Sequence, residues 1–346
     1  MNHRLFFIAA IIVAFYAHIS AEVTFEGDVS FGASYNSNIG RLSGDDLSQT
    51  GSGSGKNNND AFSVDLDAFL TLQTGDLFSL EYTLFTAVTP EDISYSFFNH
   101  SLAAIFSHEL EEIDISYGLE TGHLLVGFAN RLVEPQAFFE LFWYAHEQLS
   151  YYLNVAGSYA VSLDTEYSYL TAPGFRFENG LYWYPVAGDR SFISLGVGER
   201  MFFFGEDRYT VEELSPAPMT PPISLTVWAQ RAFSEIYVRL KGKYFYKGFS
   251  AEASIRYGFL YYLHADRWET LPDSSPLPPF PQYEKTKSDH ALRLKALFEY
   301  RFTDLFSLQA YYAYLRNFSN MGDSAVDHEN NDYDQHTTGF MCRFVF

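Results

Sequence analysis

The sequence predicts an all-β protein, a closed antiparallel transmembrane barrel of about fourteen strands, with twelve as the alternative count. Three observations lead there. Long stretches alternate residue by residue between apolar and polar, the period of a β-strand with two different environments. Aromatic residues make up 18% of the 346 residues, with 34 Phe and 26 Tyr, and the mean hydropathy is −0.12. No run after the N-terminus reaches the ~18 apolar residues of a membrane helix. Finally, short turns alternate with long polar loops, as in barrels whose turns lie on one side of the membrane and whose loops lie on the other.

The N-terminal segment is set apart first. Residues 1–4 are weakly positive, residues 5–16 are apolar, and Ile19-Ser20-Ala21 offers a small residue for cleavage. Residues 1–21 read as a secretory signal peptide, leaving 22–346 as the barrel. No Cys follows the cleavage point, so no lipid anchor is expected. The net charge of −21 excludes a nucleic-acid partner, which needs a basic surface. Cys342, the only cysteine, cannot form an internal disulfide and reads as a small lipid-facing hydrophobe.

Strand 1 runs over 23–35, with Phe25, Val29, Phe31, Ala33 and Tyr35 on one face and Thr24, Glu26, Asp28, Ser30 and Ser34 on the other. Residues 36–60, rich in Gly, Ser and Asn, form a long loop. Strand 2 starts at Ala61 and turns at Thr74-Gly75-Asp76 into strand 3, around Leu80, Tyr82 and Leu84. Strand 4 covers 96–108 and strand 5 begins at Ile113; residues 123–135 finish strand 5 and form a loop before strand 6, marked by Ala137 to Ala145. Strands 7, 8 and 9 cover 151–167, 175–183 and 191–204. Residues 206–222 read as an acidic, Pro-rich loop, and strand 10 ends near Tyr246 with an open start, because 223–233 is also apolar. Strand 11 carries Ala251 to Tyr261, and 267–288 is a second Pro-rich loop. Proline cannot donate to a ladder, so these two loops are not central strands. Strand 12 covers 289–302, strand 13 has Phe306 to Tyr314, and 317–334 is a polar, acidic loop before the last strand. With both ends on the same side the strand number is even, and no segment has the length of a separate plug domain.

The last strand, QHTTGFMCRFVF over 335–346, alternates His336, Thr338, Phe340, Cys342, Phe344 and Phe346 against Thr337, Gly339, Met341, Arg343 and Val345. It resembles the C-terminal strand of bacterial outer-membrane β-barrel proteins, where a terminal Phe and alternating aromatics are usual. That resemblance implies an outer-membrane location, a lipid surround, and recognition of Phe344 and Phe346 by the barrel assembly machinery. The segments YNSNIGRL (35–42), YAYLRNFSNMGDS (312–324) and YDQHTTGFMCRFVF (333–346) are also similar to end segments of barrels from surface-polysaccharide and surface-lipoprotein export systems. Those proteins often carry a helical-repeat domain before the barrel, and this sequence has none, so the similarity implies the barrel and not the export role.

Charge on a lipid-facing strand position costs ~2–4 kcal/mol at the midplane, so strand charges are expected in the lumen. Sorted by strand, strands 1 to 6 place Glu26, Asp28, Asp65, Asp67, Glu81, Asp114, Glu120 and Glu140 there. Strands 10 to 14 place Arg239, Lys241, Lys243, Arg256, Arg293, Lys295, Arg301 and Arg343, with Glu252 and Glu299 among them. An acidic wall should therefore face a basic wall. Such walls either orient polar solutes in a wet channel or pair with each other and fill the interior. Fourteen strands are too wide for side chains alone to fill. Phe69, Phe142, Tyr144, Tyr182, Tyr237 and Tyr262 also fall on the lumen side, as a stacking path for solutes or as packing.

The loop acids Asp45, Asp46, Glu206, Asp207, Glu212, Glu213, Asp323, Asp327, Glu329, Asp332 and Asp334 do not match the Gly and Glu spacing of a calcium loop, so no metal is expected. No Ser–His pairing is identifiable, so neither enzyme activity nor a cofactor is expected. The function expected is a porin-like channel for small polar or charged solutes; the alternatives are a surface adhesin or structural barrel, and an export-system barrel.

Overall fold

The computed structural model describes residues 23–37, 61–91, 93, 96–164, 168–186, 190–213, 223–230, 232–270, 283–319 and 333–346. The expected signal peptide and the loop acids Asp45, Asp46, Asp323, Asp327, Glu329 and Asp332 lie outside the described residues. The strands are β1 (Val23–Asn36), β2 (Ala61–Thr74), β3 (Phe78–Val88), β4 (Phe97–Leu110), β5 (Ile113–Val126), β6 (Ala129–His146), β7 (Leu149–Ser162) and β8 (Ala172–Trp183). They continue with β9 (Phe192–Phe202), β10 (Glu206–Glu213), β11 (Ile223–Gln230), β12 (Phe233–Tyr246), β13 (Phe249–Thr270), β14 (Tyr283–Thr303), β15 (Phe306–Ser319) and β16 (Tyr333–Val345).

Fourteen of these close a cylinder. β1 to β9 pair in sequence, β9 pairs β12, β12 to β16 pair in sequence, and β16 returns to β1. All pairings are antiparallel. At the seam the register runs from Asp28↔Val345 to Asn36↔Thr337. Gly27 and Phe346 extend it by exchanging backbone hydrogen bonds of 3.0 and 2.9 Å. Closure leaves no strand edge in the bilayer, where an unpaired backbone group would cost several kcal/mol.

The apolar side chains are outside and the polar ones inside. Phe31, Val64, Leu102, Leu195 and Ile255 are exposed on the outer face, while Ser30, Asp65, Ser194 and Glu235 are buried on the inner one. Exposed aromatics gather at both ends of the outer belt: Tyr35, Phe62, Phe128, Tyr159 and Tyr261 at the upper rim, and Trp143, Trp183, Tyr246, Phe302 and Phe346 at the lower. These are the interfacial girdles of a membrane barrel.

Three expectations are corrected; the simplest is the loop over 267–288, which is shorter because β13 runs to Thr270 and β14 begins at Tyr283. Residues 123–135 do not form a loop: β5 runs to Val126, and Gly127-Phe128 turns directly into β6. Both turn residues have positive φ, 57° and 63°, as a tight hairpin turn demands. Glycine tolerates this freely; phenylalanine rarely does. The Phe128 ring is held against Phe98 with centroids 4.8 Å apart. The usual turn dipeptides are absent, which hid the turn.

The third correction concerns 206–230. β10 and β11 form a hairpin in register Glu206↔Gln230 to Glu213↔Ile223. β11 pairs the far end of β13, from Leu225↔Thr270 to Trp228↔Arg267. β13 and β14 have 22 and 21 residues, about 70 Å at ~3.3 Å per residue, against an apolar belt of ~25 Å. They run past the cylinder and carry the hairpin on a four-stranded shelf. Among the described residues every strand belongs to the cylinder or to this hairpin.

Candidate functional site: the lumen

Registration places the acidic residues on the inner face, each opposite a neutral residue of a neighbouring strand. Ser30 stands opposite Asp67 and Gly32 opposite Asp65; Thr71 is opposite Glu81. Ala103 faces Glu120, and Phe142 and Ser116 face Asp114 and Glu140. Their resolved partners are mostly neutral. Asp65 accepts hydrogen bonds from Ser34 Oγ at 3.1 Å and from the Tyr311 hydroxyl at 2.8 Å. Asp114 accepts one from Tyr144 at 2.5 Å. The amides of Gln136 and Asn154 donate to Glu120 and Glu140. Asp67 Oδ1 is buried with no partner.

The basic side is organised differently, because acids from β8, β12, β13 and β14 stand among the cations. Glu235 is fully buried and takes three arginines: Arg200 at 2.7 Å, Arg256 at 2.8 Å and Arg293 at 2.5 Å. Glu178 pairs with Arg239 and accepts the hydroxyls of Tyr152 and Tyr237. Glu252 lies 2.9 Å from Lys241 and 3.7 Å from Lys243. Arg343 bridges the seam, 2.9 Å from Asp28 and 3.4 Å from Glu299. Lys295 lines the upper cavity, and Arg301 lies opposite Ser307 near the lower end of β14. Apart from the Arg343–Asp28 bridge, the resolved ion pairs of the basic side are internal to it.

Arg200, Glu178 and Glu235 were not singled out in the sequence. For Glu235 the signal was present: Glu235, Tyr237, Arg239, Lys241 and Lys243 follow one another at every second position of β12, so they share a face.

Large interior side chains lie along the wall, over glycines. The Tyr152 ring covers Gly180 and its hydroxyl covers Gly196, the Tyr237 ring covers Gly198, and the Tyr311 ring covers Gly339. A Cβ on Gly180 would stand 2.6 Å from Tyr152, and one on Gly339 would stand 2.6 Å from Tyr311. Glu235 rests on Gly258 in the same way, where a Cβ would sit 2.5 Å from its carboxylate. The upper lumen has a cavity of about 710 Å³ between Asp65 and Asp67 on one side and Lys295 and Tyr311 on the other; of these groups, Tyr311 lines it.

The lumen aromatics pack rather than form a file. Phe142 meets Tyr144 and Tyr182 at 5.0 and 5.3 Å, and Tyr182 meets Tyr152 and Phe192 at 5.2 and 5.0 Å. Tyr237 lies under the Arg256 guanidinium at 3.6 Å, and Tyr262 contacts Phe233 at 6.2 Å. Phe69 remains exposed. Outside, Phe344 stacks on Phe31 and Phe346 meets Phe25 across the seam at 6.1 and 6.0 Å.

A closed fourteen-strand cylinder with an apolar, girdled exterior and a charged interior is an outer-membrane β-barrel. No protein-family model matches the chain, and no curated protein is similar to it in sequence. Among solved structures it is similar to OmpT, an outer-membrane protein of Vibrio cholerae, at 9% identity and a TM-score of 0.42 over 94% of this chain and 97% of that one. It is similar to the outer-membrane channel DcaP of Acinetobacter baumannii at 11% and 0.43, over 94% and 97%. The anion-selective porin of Comamonas acidovorans matches at 10% and 0.39, over 94% and 100%. Likeness at this level assigns neither a substrate nor residue roles.

Proposed function

We propose that this barrel is a passive, porin-like channel for small polar or charged solutes, and not an enzyme. The observation that carries the reading is the space left inside the cylinder: Tyr152, Tyr237 and Tyr311 lie along the wall over glycines, and Tyr311 borders a cavity of about 710 Å³. Charge along such a path selects what enters. The acids of β1 to β6 have largely neutral hydrogen-bond partners, while Glu178, Glu235, Glu252 and Glu299 pair with cations on the basic side. The channel is therefore expected to favour cations modestly. The terminal strand, with Phe344 and Phe346, serves as the contact for the barrel assembly machinery.

Solute uptake into liposomes tests the reading. Vesicles holding the refolded barrel should take up small sugars and amino acids at rates that fall with solute size. Uptake no faster than into empty vesicles would remove the channel. The β10–β11 hairpin, standing beyond the cylinder on β13, supports a second reading as a surface-binding barrel. Deleting residues 206–230 should leave uptake intact under the first reading and abolish surface attachment under the second.

A further inference from the structure

The upper lumen contains a patch that the channel reading does not require. The water-facing side of a barrel strand is expected to be polar. Yet on β3, β4 and β5 the inner face at this height carries Phe85, Ala87, Phe97, Leu124 and Val126, all lining the same cavity, with Asn99 as the one polar side chain, between Phe85 and Leu124. The registers join them into one surface: Ala87 lies opposite Phe97, and Phe97 opposite Val126. The Phe85 and Phe97 rings are 5.3 Å apart, and Phe85 is exposed to the lumen.

The patch ends against two carboxylates. Asp67 lies opposite Phe85 and Asp65 opposite Ala87. Asp65 is held by Ser34 and Tyr311, but Asp67 Oδ1 is buried without a partner. A buried acceptor without a donor is costly; Asp67 as a whole is only half-buried and lines the cavity, so a ligand ammonium there meets its carboxylate. Of the charged residues lining the cavity, Asp65, Asp67 and Glu252 are acidic and Lys295 is basic. An apolar wall with a few placed polar groups is the usual make-up of a small-molecule site, and ~300–1,000 Å³ is its usual size; this cavity has about 710 Å³.

We propose that the upper lumen holds a binding site for organic ammonium ions that carry an apolar or aromatic body. The ammonium docks on Asp67, with Asp65 behind it, and the body lies on Phe85, Phe97, Leu124 and Val126. Ring faces add cation–π attraction for the same charge. This site deepens the channel reading by naming a solute class, and its test does not depend on conduction.

The experiment is isothermal titration calorimetry of the refolded barrel in detergent micelles, with empty micelles subtracted. The probes are phenylethylammonium, ethylammonium and phenylacetate. Burial of the phenyl ring should make phenylethylammonium bind about tenfold or more tighter than ethylammonium. Phenylacetate should give no heat above the blank. Asp67→Asn and Phe85→Ser should each weaken phenylethylammonium binding about fivefold or more, and Lys295→Gln should strengthen it; circular dichroism confirms the fold of each variant. Equal binding of the two ammonium ions, tighter binding of phenylacetate, or unchanged binding in all three variants would overturn the site. A barrel that binds phenylethylammonium but takes up no solutes keeps the site and loses the channel reading. One that takes up solutes without this discrimination loses the site alone.

Discussion

Tyr311 on β15 donates its hydroxyl to Asp65 on β2 at 2.8 Å, although the two residues are 246 apart in the chain. β16 and β1 stand between their strands, so the bond spans the closing seam from inside. Tyr311→Phe removes this donor and leaves Asp65 with Ser34. A hydrogen bond to a charged group is worth about 1.5–3 kcal/mol, and the variant should be less stable by that order. Urea unfolding in micelles measures it; an unchanged midpoint would mean that the bond contributes nothing.

The glycine seats make a prediction about channel width. Gly196→Val fills the space under Tyr152 and should swing that ring into the lumen. Single-channel current through the variant should fall clearly below that of the parent. Unchanged current, in a variant with the parent's strand content, would show that Tyr152 does not border the conducting path.

Glu235 is the hub for Arg200, Arg256 and Arg293. Glu235→Gln keeps the shape and removes the charge, leaving three cations without their common partner. Loss of one partner from a buried ion pair costs about 3–5 kcal/mol. Denaturant unfolding should show destabilisation of that order, and the reversal potential in a salt gradient should move toward anions. A shift toward cations would contradict the placement of these arginines in the lumen.

At the seam, Arg343 lies between Asp28 and Glu299. Arg343→Glu puts three acids together and should lower the folded fraction recovered from urea. Adding Asp28→Arg restores an opposite pair across β1 and β16 and should recover part of the loss. A double variant as poor as the single one would argue against direct coupling of the two residues.

The alternation of β1, β2 and β16 was readable because most apolar positions are answered by a polar neighbour one residue on, with Phe69, Met341 and Val345 as exceptions. The strand count and the seam followed from it. The turn at Gly127-Phe128 was not readable, because phenylalanine in a left-handed conformation is held by Phe98, a contact that only the folded barrel supplies. β10 and β11 were missed for a related reason: β11 pairs with the projecting end of β13 and β10 with β11, and prolines between them pointed to a loop. The strand charges could be sorted by face from the alternation, but which of them pair with one another could not. Glu178 and Glu235 meet Arg239 and Arg293 through register and through barrel curvature, neither of which one strand reveals.

The central claim is that the lumen is an open path whose acidic side dominates. Planar-bilayer recording of the refolded barrel in a potassium chloride gradient tests it most directly. The account predicts discrete conductance steps with a reversal potential on the cation-selective side, moving further that way when Arg293, Lys295 and Arg343 are all replaced by Glu. Absence of unitary conductance at every salt concentration and voltage, or steps with unaltered selectivity in the triple variant, would contradict it.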